Sequence, residues 1–164
     1  MCSVGLAGLC VPASWASAGS LRVTSAERSV LKLINATRAE HGLQPVRART
    51  SLCRAARAHS REMLRRSYFS HLSASGQSQV ARVLRYGYGH SGCSRWNTGE
   101  VIAYGSGSLG TAQAIVGGWL NSQAHCALLL DPRWRDIGVG RAYGVFRGAS
   151  QVAVFTVDLG RRTH

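Results

Sequence analysis

Three observations predict an α+β domain with helices packed on an antiparallel sheet. Amphipathic helical segments fill the first half of the chain. Alternating strands close the second half. The length, 164 residues, suits one domain with a single core. Hydrophobic residues make up 45% and charged residues only 16%, which excludes a solvated disordered chain. No apolar run reaches the ~18 residues that a membrane-spanning helix needs.

Residues 2–18 are small, apolar and uncharged, and end in Ala16-Ser17-Ala18, a cleavage-site pattern. A signal peptide truncated at its basic start is therefore expected over 1–18, with an uncharged tail as the alternative. The mature chain, 19–164, then forms a single domain with its core at about 25–160. Cleavage would remove Cys2 and Cys10 and leave Cys53, Cys93 and Cys126. An exported chain can form one disulfide from these three. Spacing alone does not choose the pair. Cys53 sits on an apolar helix face, so Cys93 with Cys126 is the expected pairing.

Thr24-Ser25-Ala26-Glu27 is a capping box, and Val30, Leu33, Ile34 and Thr37 follow at helical spacing. The first helix is expected over about 25–41, stopped by Gly42. Leu43 to Val46 reads as an extended linker. The second helix, about 51–67, carries Leu52, Ala56, His59 and Met63 on one face and Arg54, Arg57, Arg61 and Arg65 on another. A third, over 77–86, turns Val80, Val83 and Leu84 inward. Gly87 to Asn97 reads as a Gly-rich aromatic loop. A short strand follows, with Glu100, Ile102 and Tyr104 facing one way. After a flexible loop, Thr111 caps a helix over 112–122 that buries Ile115 and Trp119 as core. Ala124 to Leu130 adds a helical turn, ended by Asp131-Pro132. Ile137 to Tyr143 and Gln151 to Leu159 form a closing hairpin around Gly144–Ala149.

The net charge of +13 comes from 20 basic and 7 acidic residues, and Lys32 is the only lysine. The ordinary reading of the arginine stripe is a solvated helix face. The sharper one is a contact for acidic cell-envelope polymers. Nucleic acid is not expected, because no aromatic stacking platform is interleaved with the arginines. A monomer is expected.

Few residues can carry chemistry. Glu27 is used in the cap, Glu40 and Glu62 lie on charged helix faces, Asp131 is in a turn, and Asp136 and Asp158 read as strand ends. Glu100 differs, since it opens an apolar strand and needs a partner if buried. His71, after Tyr68-Phe69-Ser70, and His125, after the fourth helix, also sit at element ends. Two neutral imidazoles and a carboxylate suit zinc, although no local metal-ligand spacing occurs. With no second acid apparent beside Glu100, paired-carboxylate glycoside hydrolysis is disfavoured. No nucleophile elbow, P-loop or dinucleotide fingerprint is present.

Taken in order, several segments resemble one family. Leu33-Ile34-Asn35-x-x-Arg38 with Gly42-Leu43-x-Pro45 resembles the opening of the CAP superfamily (cysteine-rich secretory, antigen 5, pathogenesis-related-1; the SCP domain), in its bacterial branch. Ala55-Ala56-x-x-His59-Ser60-x-x-Met63, Tyr68-Phe69-Ser70-His71, Gly99-Glu100, Trp119-Leu120-Asn121-Ser122 through His125, and the closing strands are similar to its later motifs. The resemblance runs from about 28 to 160. It implies a three-layer α-β-α sandwich with a small central antiparallel sheet, and a cleft lined by His71, Glu100 and His125. It also implies possible zinc on His71 and His125, and structural roles for Asn35, Arg38 and His59. The family's second glutamate has no counterpart here, and Val101, Gln123-Ala124, Cys126 and Ala127 depart from its pattern.

Two functions follow as expectations. The first is a secreted, extracellular binding module whose cleft takes a small ligand, lipid, peptide or divalent cation. The second is a metal-assisted hydrolase with Glu100 as general base in the same cleft.

Overall fold

The computed structural model describes residues 23–89 and 94–163. The expected signal peptide and Cys93 lie outside the described residues. The element order is α1 (Ser25–Glu40), β1 (Arg47–Ala48), α2 (Thr50–Arg66), α3 (Gln79–Arg85), β2 (Arg95–Ser106), a 3₁₀ turn (Gly107–Gly110), α4 (Ala112–Leu120), α5 (Gln123–Leu129), β3 (Asp136–Phe146) and β4 (Ala149–Thr163).

The four strands form one sheet in the order β1-β3-β4-β2. Its three long strands are antiparallel, as expected. The two-residue β1 runs parallel to β3, pairing Arg47 with Asp136, so the sheet is mixed. Helices cover both faces, giving the three-layer α-β-α sandwich. Strand alternation sorts the side chains. Val101, Val139, Phe155, Val157 and Leu159 pack with Val30 and Ile34 of α1 and Ile115, Val116 and Trp119 of α4. The intervening residues face α2.

That second face is built differently. At Gly138 a Cβ would run into the backbone of Leu52 and Cys53, and at Gly140 into that of Ala56 and Arg57. Two glycines thus bring α2 almost onto the backbone of β3. Ser60 of α2 uses the proximity, donating to the Gly140 carbonyl (3.2 Å) and to the Thr156 hydroxyl (2.9 Å). The connections are also specific. Asn35 exchanges two hydrogen bonds with the Val46 backbone, at 2.9 and 3.0 Å. Buried Arg38 donates to the carbonyls of Gln44, Leu129 and Asp131. The β3–β4 turn places Arg147 and Gly148 at positive φ (50° and 81°), the pairing a tight hairpin favours.

Four local expectations change. Val80 is 45% exposed and does not point inward, because α3 is only two turns long and docks through Val83. The predicted loop before Glu100 is already strand from Arg95, since its residues pair with the end of β4. The 3₁₀ turn occupies part of the expected flexible loop. Asp158 is not at a strand end: β4 runs on to Thr163, and Asp158 is fully buried within it.

Candidate functional site

Glu100 lies on β2, the edge strand, with its side chain turned to the α2 side. Ser67 ends α2 in the left-handed conformation (φ 52°), reversing the chain so that Tyr68 to His71 return beside β2. The His71 imidazole then meets Glu100, with Nδ1 2.8 Å from Oε1. Glu100 is buried while the His71 side chain is 55% exposed, so one end of this pair is open to water.

The other Glu100 oxygen accepts from Nη2 of Arg82, which α3 carries into the interior. Arg82 also donates from Nη1 to the Ser73 hydroxyl (3.1 Å) and to the His71 carbonyl (3.3 Å). It thereby fixes the turn that bears the histidine. Buried His59 approaches the same carboxylate at 4.0 Å and makes its own hydrogen bond through Nε2 with the Ser70 carbonyl, at 2.9 Å. Burial, reinforced by the Arg82 charge, holds the His59 imidazole below its usual pKa. At neutral pH it is therefore an uncharged ring, with Nε2–H as donor.

A second acid completes the set. Asp158 stands directly across from Glu100 in the β2–β4 register. Its Oδ1 accepts from Gln79 Nε2 (3.2 Å), which also donates to the Thr98 hydroxyl (2.5 Å). Complete burial, and next the neighbouring Glu100 charge, push the Asp158 carboxyl well above its usual range, against the pull of Arg82 and Gln79. Its Oδ2 has no donor. A side-chain hydrogen bond with Glu100 adds to the upward push on the Asp158 carboxyl. With Asp158 protonated, Arg82, Glu100 and Asp158 together would carry no net charge.

His125, expected in one cleft with His71 and Glu100, makes no hydrogen bond to either among the described residues. It is half-buried and lines a groove of about 440 Å³ along the outer edge of β2, with Phe69, Ile102, Tyr104, Leu109 and Trp119 among its walls. The groove and the network adjoin through the chain itself. Ile102 and Tyr104 follow Glu100 on the same strand face, and Phe69 precedes His71 by two residues. Phe69 and Tyr104 pack edge to face with ring centres 4.9 Å apart. Trp119 is buried and donates from its indole to the Ile102 carbonyl, 3.1 Å, tying α4 to β2.

Among the described residues no group of three His, Cys, Asp or Glu side chains is arranged to hold a metal ion. The donor set also fits a resident zinc poorly. Both Glu100 oxygens are committed, and a buried guanidinium beside the carboxylate opposes a second cation. Cys53 and Cys126 are free thiols, the first buried and the second half-buried.

The sequence reading missed Arg82, Gln79 and Asp158. The signals were present. Gln79 and Arg82 share a face of a short helix at i and i+3, and alternation places Asp158 with Val152, Val154 and Thr156 on one side of an apolar strand.

A sheet between helix layers, with a Glu/His pair at its edge strand, defines a CAP-type domain. The model of the CAP family, described as "Cysteine-rich secretory protein family", matches residues 31–157, and the chain belongs to that family. YkwD of Bacillus subtilis is 33% identical over 118 residues, covering 72% of this chain and 43% of that protein. The chain spans less than half the length of the curated relatives it matches. Among solved structures, an extracellular SCP-domain protein of Bacillus anthracis aligns with a TM-score of 0.66 and 27% identity, over 82% of this chain and 40% of that one. An outer surface protein of Borrelia burgdorferi shares the fold, with a TM-score of 0.67, 20% identity, and coverage of 83% and 92%.

Proposed function

We propose that this chain is an extracellular CAP binding module whose β2-edge groove takes the apolar part of a small amphipathic ligand, such as a lipid. The apolar groove itself carries the reading. Leu109 is 69% exposed and Tyr104 45%, on a wall continuous with buried Trp119. Open apolar surface beside a few polar groups is the usual make-up of a small-ligand site. His125 and Ser122 supply the polar contacts. The extracellular assignment rests on the expected signal peptide and on the Bacillus anthracis protein, which is described as extracellular. No helix among the described residues is long and apolar enough to cross a membrane.

The test is a titration with a dansyl-labelled fatty acid. Saturable binding with a blue-shifted emission is expected. Leu109→Asp, an exposed change that spares the core, should weaken it by about tenfold or more, ~1.4 kcal/mol. No saturable signal, or one indifferent to Leu109→Asp, would overturn the reading.

One observation favours a second reading, hydrolysis. Glu100 orients the His71 ring while most of that side chain meets solvent, as a general base requires. In this form His71, and not Glu100, takes the proton, because Arg82 holds the carboxylate. Peptide or ester turnover lost in His71→Ala would support it, and absence of turnover across substrates would remove it.

A further inference from the structure

Arg82 also lines a second cavity, of about 190 Å³, between α2, the turn that follows it and α3. Its walls are mostly polar, and three of the ten lining residues are arginines. Arg65 comes from α2, Arg82 and Arg85 from α3, and Ser75 and Gln77 from the turn. One acid, Glu62, lines it, and that carboxylate already accepts from the Tyr68 hydroxyl at 2.8 Å. Arg65 and Arg85 are exposed, and neither has an ion pair among the described residues.

Three guanidinium groups around one small cavity repel one another, and only Arg82 is neutralised, by Glu100. An anion between them converts that repulsion into attraction. Arg82, one of the cavity's walls, also retains a buried Nε–H with no acceptor. Guanidinium forks match the paired oxygens of phosphate and carboxylate groups.

The surroundings extend the pattern. Arg54, Arg61 and Arg65 are exposed along α2, and at 1.5 Å per residue they span about 16 Å of helix ending at the cavity. Arg57, within the same row, is bonded to Glu27 at 2.5–2.6 Å.

We propose that the cavity between α2 and α3 binds the phosphate-type oxyanion of an acidic ligand, with Arg65 and Arg85 as its mobile clamps. The same group reaches the site either as a free phosphate or as a unit of an acidic polymer lying along the arginine row. The site shares no lining residue with the apolar groove, so it stands or falls independently of the lipid reading.

The experiment is a nitrogen-15 NMR titration of the whole chain at low salt, with inorganic phosphate in one arm and polyphosphate in the other. Saturable shifts are expected at the end of α2 and in α3. The double variant Arg65→Ala, Arg85→Ala should lower affinity about tenfold or more. Both residues are exposed, so its spectrum elsewhere and its fatty-acid binding should match the parent chain. If Arg54→Ala, Arg61→Ala weakens polyphosphate and spares inorganic phosphate, the ligand is polymeric. If both arms are spared, it is the free anion, and either result supports the site. Shifts that fail to saturate in both arms, or that persist undiminished in the Arg65, Arg85 variant, overturn the proposal.

Discussion

The two faces of the sheet solve different problems with the same strands. The face toward α1 and α4 is filled by Val, Ile, Leu, Phe and Trp side chains. The face toward α2 gives up bulk at Gly138 and Gly140, and places Thr156, Asp158 and Glu100 where apolar residues would otherwise sit. One face supplies stability through area removed from water. The other accepts desolvation costs, offset by hydrogen bonds, and in return holds His71 at the surface beside the groove. Every strand serves both faces through alternation, so the site is braced by the core without lying in it.

Substitutions on each face separate these roles. On the apolar face, Phe155→Ala removes a fully buried ring from the central strand and should cost about 3–5 kcal/mol. Urea unfolding followed by far-UV circular dichroism measures it. A cost below about 1 kcal/mol would mean that this face is not the main source of stability. On the polar face, Arg82→Ala leaves the Glu100 carboxylate buried without its cation, and should cost about 3 kcal/mol or more. It should also release the turn bearing His71, visible as loss of a distinct His71 imidazole NMR signal. A stable variant with an unmoved His71 signal would show that the network does not position the histidine.

Gly140→Ala tests the close approach of α2. Its new methyl meets the α2 backbone, not a flexible side chain, so the helix must shift. The expected cost is about 1–3 kcal/mol, read as a lowered midpoint of thermal unfolding. An unchanged midpoint would mean that α2 slides freely over β3, against the Ser60 hydrogen bonds.

The sequence reveals the apolar face more readily than the polar one. Capping at Thr24 and Thr111 and helical spacing in α1, α2 and α4 are local signals, and each places its helix within a residue or two. The alternation of Glu100, Ile102 and Tyr104 is equally local. The polar network is not. Asp158 gains its meaning from Glu100, 58 positions earlier, and Arg82 from a carboxylate 18 positions later. The alternation around Asp158 and the i, i+3 spacing of Gln79 and Arg82 hint at shared faces, but only the distant partner says what those faces meet. The start of β2 is hidden for a related reason: glycine and aromatic residues read as loop until the end of β4 is placed beside them. The two-residue β1 has no periodicity to detect.

At about pH 5 the smallest expected effect is at Asp158, and its change with pH is the most informative. Asp158→Asn has nearly the same shape, and its amide offers Glu100 the hydrogen that a protonated Asp158 offers, while its oxygen still accepts from Gln79. At about pH 5 the variant should therefore lie within about 1 kcal/mol of the parent chain. The two then diverge with pH. The folded-state pKa of Asp158 is raised well above its ordinary 3.8. Between those two values the folded chain binds more protons than the unfolded one. Stability from this group is complete below pH 3.8 and is lost as pH rises through the folded value, by at most ~1.4 kcal/mol per pH unit. The amide of the Asp158→Asn variant does not titrate and carries no such slope, so the variant should gain on the parent as pH rises above about 5. Urea midpoints of both chains at about pH 5, 6.5 and 8 read the difference. A difference that does not change with pH would mean that Asp158 is already ionised at the lowest of these, and that the polar face holds two buried negative charges instead of one.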